Sequence, residues 1–449
     1  MRSRLISLVV GGLLLGGGAA SAQTATGPFG GSVAQLTVTA DALPLTLAGA
    51  IERGLAHNLG LVAVEQQVES ARGSRLRTLR ELLPRVDARA GDTRQTSNLA
   101  AFGFDSSLFP GIPSVVGPYT IFDARVYASQ PVVDLSARSE LRSKNAALQA
   151  IRFESENARA VVTYVVTTLY FQAAAGESRI EAARSQVRTA EALLTQATNL
   201  RNAGVAPGID VVRAKVQVQA QRQRLISAEN EFAKQTLQLV RAIGIPTAQA
   251  IKLADDAATT SGEMPTVDAA LARAAAARAD YKASLERVRA AESMLRATRQ
   301  DALPTLQVSA DVGAIGSNPS DARRTYAMAV GVRVPLFDPD RSGRATENLA
   351  SLRQRQAEAA DLQQRIEAEV RTACLDLNAA EQSLAVARER VSLSNQELSL
   401  ARIRFTAGVT SNLEVIQAQN EVAVASENEV AAAFSLNVAK AALVRAMGE

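Results

Sequence analysis

Tryptophan is absent, cysteine and histidine occur once each, and aromatic residues make up only 4 % of the chain. Each scarcity removes a class of structure. The single cysteine, Cys374, forbids any disulfide within the chain, and its place inside a helical stretch marks it as a small buried hydrophobe. The single histidine, His57, leaves no ligand set for a transition metal, and a solvated or hydrogen-bonded side chain is its expected state. Neither a phosphate-binding loop nor a nucleophile–base pair is visible, so no catalytic, cofactor-binding or metal residue is assigned and an enzyme is the weakest reading. With few large core-filling side chains and abundant alanine, the composition suits extended helices that approach closely better than one thick core.

Charge of one sign is also lacking. The formal net charge is +4, and Arg2 and Arg4 belong to a leader whose removal lowers it to +2. A near-neutral chain gives no electrostatic case for nucleic acid. The leader, residues 1–22, has a basic start, an apolar run and an Ala-Ser-Ala end before Gln23, which is the layout of a secretory signal peptide. No cysteine at the cleavage site offers a lipid attachment point, so the exported chain is not expected to be a lipoprotein. No further apolar run is evident that would cross a bilayer as a helix, but an exported chain can also span by strands.

What is present is written twice. Residues 200–215 read LRNAGVAPGIDVVRAK and residues 404–419 read RFTAGVTSNLEVIQAQ. Gly204 and Gly408, Pro131 and Pro335, and Gly244 and Gly448 all share an offset of 204, while Leu83-Pro84 and Leu303-Pro304 share one of 220. The connection between these anchors is therefore 16 residues longer in the first copy. A period this long fits a duplicated half-protein rather than a solenoid. The division is a signal peptide 1–22, a small-polar tether 23–45, a first repeat 46–244, an equatorial linker 245–266 and a second repeat 267–449.

Each repeat reads as helix, two strands, two helices. The opening helices, 46–82 and 267–302, stop at the Leu-Pro pairs. Period-two alternation follows: Val86, Ala88 and Ala90; Phe122, Ala124, Val126 and Ala128; Leu306, Val308, Ala310 and Val312; Tyr326, Met328, Val330, Val332 and Val334. Such strands suit either a half-buried sheet or a barrel between lipid and water. From 342 to 406 a heptad runs without proline, with Val370, Leu377, Leu384, Val391 and Leu398 in one row and Ile366, Ala373, Ala380, Ala387 and Ser394 in the other. Ile180, Val187 and Leu194 with Ala183, Ala190 and Ala197 repeat it in the first copy.

A long seam needs a partner along its length, and the returning helices 208–243 and 412–447 supply it. Gly204 and Gly408 stop the outgoing helices. Ser411 with Glu414 has the spacing of a capping box, Pro207 suits a first helical turn, and Asp210 lies near a positive helix end. Two coiled-coil hairpins and four candidate membrane strands result. Four strands cannot close a barrel, so a membrane role demands association; three copies would supply twelve strands.

The repeated AGVxxx[IL][DE]V turn, the P[LV][FV]D strand-to-helix junction and the closing A[IM]G resemble the TolC-type outer-membrane efflux channel family over about residues 46–449. The resemblance implies a mostly α fold with a small β part. A homotrimer would build a 12-stranded transmembrane β-barrel in the bacterial outer membrane, continued by an α-helical barrel through the periplasm. It would be the exit duct of a tripartite export system, docked to a periplasmic adaptor (membrane fusion protein) and an inner-membrane transporter. The turns would form the periplasmic tip, with Gly204, Val205, Pro207, Arg404, Gly408, Val409 and Ser411 at adaptor contacts. Family acids just inside the tip match Asp210, Glu414 and Gln417 here, the last an amide, which puts a doubled carboxylate ring in question. Against the gate stands the helix-end role of any acid in a first turn. Phe405 has two readings, facing an adaptor or packing the helix end.

A periplasmic coiled-coil adaptor, or a structural protein of an export complex, is the rival reading. An adaptor would place one hairpin between compact β domains, whereas here two hairpins interleave with two strand pairs. Membrane fractionation separates them: a channel stays in the pellet through salt and carbonate washes and is released only by detergent, while an adaptor or soluble coiled coil appears in the wash.

Overall fold

The computed structural model describes residues 29–34, 38–103, 111, 113–254, 265–407 and 409–449; the expected signal peptide lies outside them. The elements run β1 (Leu43–Leu45), α1 (Leu47–His57), α2 (Leu59–Glu81), β2 (Arg85–Asn98), a short 3-10 turn, β3 (Val115–Val133), α3 (Leu135–Asn202) and α4 (Gly208–Ala242). The second half follows with β4 (Ile251–Leu253), α5 (Val267–Ala277), α6 (Ala279–Gln300), β5 (Thr305–Gly316), β6 (Arg323–Arg333), α7 (Asp340–Thr406) and α8 (Asn412–Met447).

The four long strands form one antiparallel sheet in the order β2-β3-β5-β6, and among the described residues both outer edges are unpaired. Its register puts every alternating apolar set on one face. Ala88 faces Val126, Val126 faces Val312, and Val312 faces Tyr326. One rung away the row is Val86, Ala128, Ala310 and Met328. Tyr326, Met328 and Val330 on this face are 79 %, 78 % and 71 % exposed, a contiguous apolar surface that water would not tolerate. The other face is charged: Asp87, Tyr127 and Asp311 share a row, as do Arg89 and Arg125.

The helices form two hairpins, α3 with α4 and α7 with α8. At 68 residues α3 is about 100 Å long. The heptad residues of α7 are the buried ones: Ile366, Val370, Ala373, Leu377, Ala380, Leu384, Ala387, Ser394 and Leu398, with Val391 half-buried. By length and composition α8 would pass for a bilayer-crossing helix, which the sequence reading did not register. It packs its Leu436, Leu443 and Met447 against α7 instead. Helix α3 has neighbours on several sides, namely α2, α4, α6 and α8. Helix α7 lacks the equivalents of two of them, and Leu375, Val386, Leu393 and Leu400 form a second stripe on it that stays exposed among the described residues.

The opening helix of each repeat is broken, contrary to the continuous helices expected over 46–82 and 267–302. The breaks fall at Asn58 and Arg278, which are related by the same offset of 220. Both have extended ψ, 125° and 116°. Asn58 is fully buried; its Oδ1 accepts from the N–H groups of Gly60 and Leu61, and its Nδ2 donates to the carbonyls of Phe29 (2.6 Å) and Ala242 (3.4 Å). The side chain thus caps α2 and ties it to the end of the returning helix.

The repeated A[IM]G motif fits against these breaks. Gly244 and Gly448 both adopt positive φ, +75° and +85°. A Cβ on Gly244 would lie 2.6 Å from the His57 Cβ, and one on Gly448 would lie 2.8 Å from the Arg278 nitrogen. The tether and linker also pair, as the parallel strands β1 and β4. Buried clusters around Tyr170, Val166 and Ile243 in the first repeat, and Val370, Leu377 and Leu443 in the second, fill this level of the molecule.

At the second break Arg278 is buried and reaches Asp280 through two bonds (3.0 and 2.6 Å) and Glu369 of α7 at 2.5 Å. Burial would raise the Asp280 carboxyl, but the hydrogen bonds and charge of Arg278 outweigh it and hold the group below the ordinary aspartate range. A carboxyl lowered in the native state stabilises above its unfolded pKa and loses that contribution as pH falls through the native value. Arg278→Met, which strands Asp280 and the half-exposed Glu369, should destabilise the protein by about 3 kcal/mol at neutral pH. The gap from wild type should close on acidification below about pH 4, as read by denaturant melts of the detergent-solubilised protein.

Candidate functional site

The two turns end the hairpins side by side. In the first, Gly204 takes positive φ and donates its N–H to Arg201 O at 2.9 Å, while the Val205 and Ala206 N–H groups return to Leu200 O at 2.9 and 3.2 Å. These bonds satisfy carbonyls that the end of α3 would leave open. Pro207 stands at the cap position, one residue outside the helical turn expected for it, and α4 opens at Gly208. In the second turn Ala407 and Val409 donate to Ile403 O and Arg404 O, each at 3.0 Å. Gly408 lies outside the described residues.

The Ser411–Glu414 capping box does not form. Ser411 has cap backbone angles, but its hydroxyl makes no cap bond. The Glu414 carboxylate is taken instead by the Thr410 hydroxyl and by the Arg404 guanidinium at 3.2 Å. A charge-assisted partner from the last turn of α7 outcompetes the reciprocal backbone bond.

Val205 and Val409 form the apices, 69 % and 71 % exposed. Pro207, Arg404 and Ser411 are exposed beside them. Phe405 is buried with Leu398, Ala401, Val415 and Ala418, and with Leu193 of α3, so it packs the hairpin end. Glu414 is half-buried and Gln417 exposed. Asp210 is buried within the protomer, with its carboxylate 3.5 Å from Arg213. Its carbonyl accepts the Nδ2 of the fully buried Asn412 at 3.1 Å, and Gln217 donates to Asn420 at 3.0 Å.

The sequence reading assigned no role to these amide contacts between α4 and α8. The available signal was position. Gln217, Gln221 and Gln419 fall among the buried valines and alanines of their helices.

At the other end of the molecule, the charged face of the sheet holds its own network. Arg125 pairs with Asp123 and with Asp311 at 3.2 Å, and Arg89 with Asp87 at 3.0 Å. The Tyr127 ring lies 5.3 and 5.5 Å from the Arg89 and Arg125 guanidinium carbons. Charges paired on one face opposite a bare apolar face match a wall between a wet lumen and lipid.

The family model of outer membrane efflux proteins matches residues 50–245 and 270–449. The chain belongs to this family. As an outer membrane efflux protein it is an exit duct for export across the outer membrane. Two relatives are both described as the pyoverdine export outer membrane protein OpmQ. The one from Pseudomonas putida is 24 % identical over 340 residues, 73 % of this chain and 71 % of the relative. The one from Pseudomonas aeruginosa is 24 % identical over 409 residues, 89 % of this chain and 84 % of the relative. Among solved structures, the outer-membrane channel OprN matches with a TM-score of 0.77 at 19 % identity, covering 93 % of this efflux protein and 96 % of OprN. The Campylobacter jejuni channel CmeC matches with a TM-score of 0.77 at 15 % identity, covering 90 % and 85 %. At these identities the structural likeness speaks for the channel fold.

Because nothing lies within 4 Å of a Cβ built on Gly204, a substitution there tests the backbone alone. Gly204→Ala should cost about 1–2 kcal/mol, and Gly204→Asn less, in denaturant melts.

Proposed function

We propose that three copies of this efflux protein close into a homotrimer, with twelve strands lining a pore through the outer membrane and the helices continuing as a periplasmic tunnel. The observation that carries the reading is the open four-stranded sheet. Its apolar face is bare and its two edges are unpaired, a combination stable in lipid only when other copies complete the wall. The uncovered stripe on α7 supports the same association along the helical part. The exported chain, freed of its signal peptide 1–22, then acts as a passive conduit. An inner-membrane transporter loads it, and a periplasmic adaptor (membrane fusion protein) seats on the tips at Gly204, Val205, Pro207, Arg404, Gly408, Val409 and Ser411.

Just inside the tip, Asp210, Glu414 and Gln417 form the gate. Glu414 is its accessible carboxylate, held towards Arg404, while Asp210 adds negative potential from within the wall. Detergent-extracted particles imaged by electron microscopy should show threefold tubes; compact monomers would refute the assembly. In planar bilayers Glu414→Ala, and more so its combination with Asp210→Ala, should raise single-channel conductance and weaken block by multivalent cations. Unchanged conductance and block would leave both acids as helix-end partners only.

A further inference from the structure

The apolar face of the sheet differs at its two ends. Helices α3 and α7 follow β3 and β6, so the opposite end of the sheet points away from the helical part. Alternation places Ala88, Ala90, Asp92 and Arg94 of β2 on this face, with Phe122 of β3 and with Arg324 and Tyr326 of β6. Over the described residues 86–94, 120–130, 306–316 and 324–332, its ionisable groups are Asp92, Arg94 and Arg324. All three lie at the end away from the helices, and together they leave a net positive charge there. The other end of the face finishes on Gln130, Leu306 and Val332, without a charge. Tyr326 and Phe122 stand next to the charged groups, as aromatic residues do at the border of a membrane band. From Val334 to Arg324 the chain runs ten residues. That is about 34 Å of strand, or about 26 Å of depth at a tilt of roughly 40°. The apolar band of a membrane barrel is about 25 Å tall, so Arg324 falls at head-group level.

On the inward face Arg89 and Arg125 rest on carboxylates, 3.0 Å from Asp87 and 3.2 Å from Asp311. Arg94 and Arg324 are exposed, and among the described residues neither they nor Asp92 are in an ion pair. A guanidinium at the edge of a hydrocarbon layer lays its aliphatic stem along apolar surface and puts its head among the lipid head groups. The anion met at that depth is lipid phosphate. The planar fork of arginine accepts phosphate oxygens in pairs, which a point charge cannot do.

We propose that Arg94 and Arg324 bind the phosphate groups of a glycolipid in the outer leaflet, so that the far rim of the sheet is a lipid-recognition surface. The inference rests on the lipid-facing reading of this face above and adds the leaflet and the head group. The leaflet follows from the asymmetry: the basic residues stand at the end away from the helices, and the end nearest the helices has none on this face. The head group follows from the chemistry of the pair. A phosphate monoester carries nearly two negative charges and three free oxygens, more than the diester of an ordinary phospholipid offers to two guanidinium groups. Asp92, on the same face beside Arg94, supplies an acceptor for sugar hydroxyls, which a simple phospholipid lacks.

The chain contains no tryptophan, so Phe122→Trp places a single reporter at this rim and Val332→Trp places one at the other end. Each full-length protein is reconstituted in vesicles of brominated phosphatidylcholine, which quenches tryptophan, with lipid A as the unbrominated competitor. Relief of quenching measures how far the competitor is enriched at the reporter. Bisphosphorylated lipid A should be enriched about fivefold or more over its bulk share at the Phe122→Trp rim. At Val332→Trp it should stay at its bulk share. Adding Arg94→Gln and Arg324→Gln to the Phe122→Trp protein should abolish the enrichment, and dephosphorylated lipid A, with the same acyl chains, should show none. Enrichment that survives both substitutions, or that dephosphorylated lipid A matches, overturns the arginine rim. Equal enrichment of phosphatidylglycerol overturns the assignment to a glycolipid. Absence of quenching at both reporters in brominated vesicles overturns the lipid-facing reading itself.

Discussion

A backbone N–H or C=O cannot be left unpaired in lipid, and this chain carries a sheet with two such edges beside a face too apolar for water. Much of the rest of the architecture follows from that constraint. A protomer that cannot seal its own wall has to present complementary edges. Duplication sets two such halves side by side, joined inside the chain where β3 lies against β5 and α3 against α6. The heptad helices then inherit the same spacing, since α3 and α7 leave the sheet directly from β3 and β6 through the PVVD and PLFD segments.

The molecule is unevenly held along its length. Around the helix breaks, the buried side chain of Asn58 binds three segments and that of Arg278 binds two, and the two largest apolar clusters lie at this level. Where the helices leave the sheet, Asp301 receives both the Ser136 hydroxyl of α3 and Arg344 of α7 at 3.2 Å, tying the two repeats together. Toward the turns the apolar clusters are small. The hairpins meet there through amides such as Asn412 and Gln217, and some of the buried amide atoms, those of Gln419 among them, have no protein partner. Unsatisfied amides in a thin core contribute little to holding one arrangement over another.

Much of this was legible in the chain because the patterns are long. Period-two strands, an uninterrupted heptad and a constant offset each draw on many residues, so no single side chain decides them, and α8 occupies the range read for it. What escaped was local and depended on distant partners. No proline or glycine marks the breaks; Asn58 and Arg278 are held in extended geometry by Phe29, Ala242 and Glu369, which are far away in sequence. The Ser411–Glu414 box had the correct spacing and lost to Arg404, a residue on the preceding helix. Phe405 admitted two readings until its neighbours on α3 and α8 were known.

The paired helix breaks have a mechanical consequence. They put a clamped level partway along the protomer, held by a buried arginine in one half and a buried asparagine in the other. The turns beyond it, joined by a thinner core, can then shift without disturbing the packing between that level and the sheet.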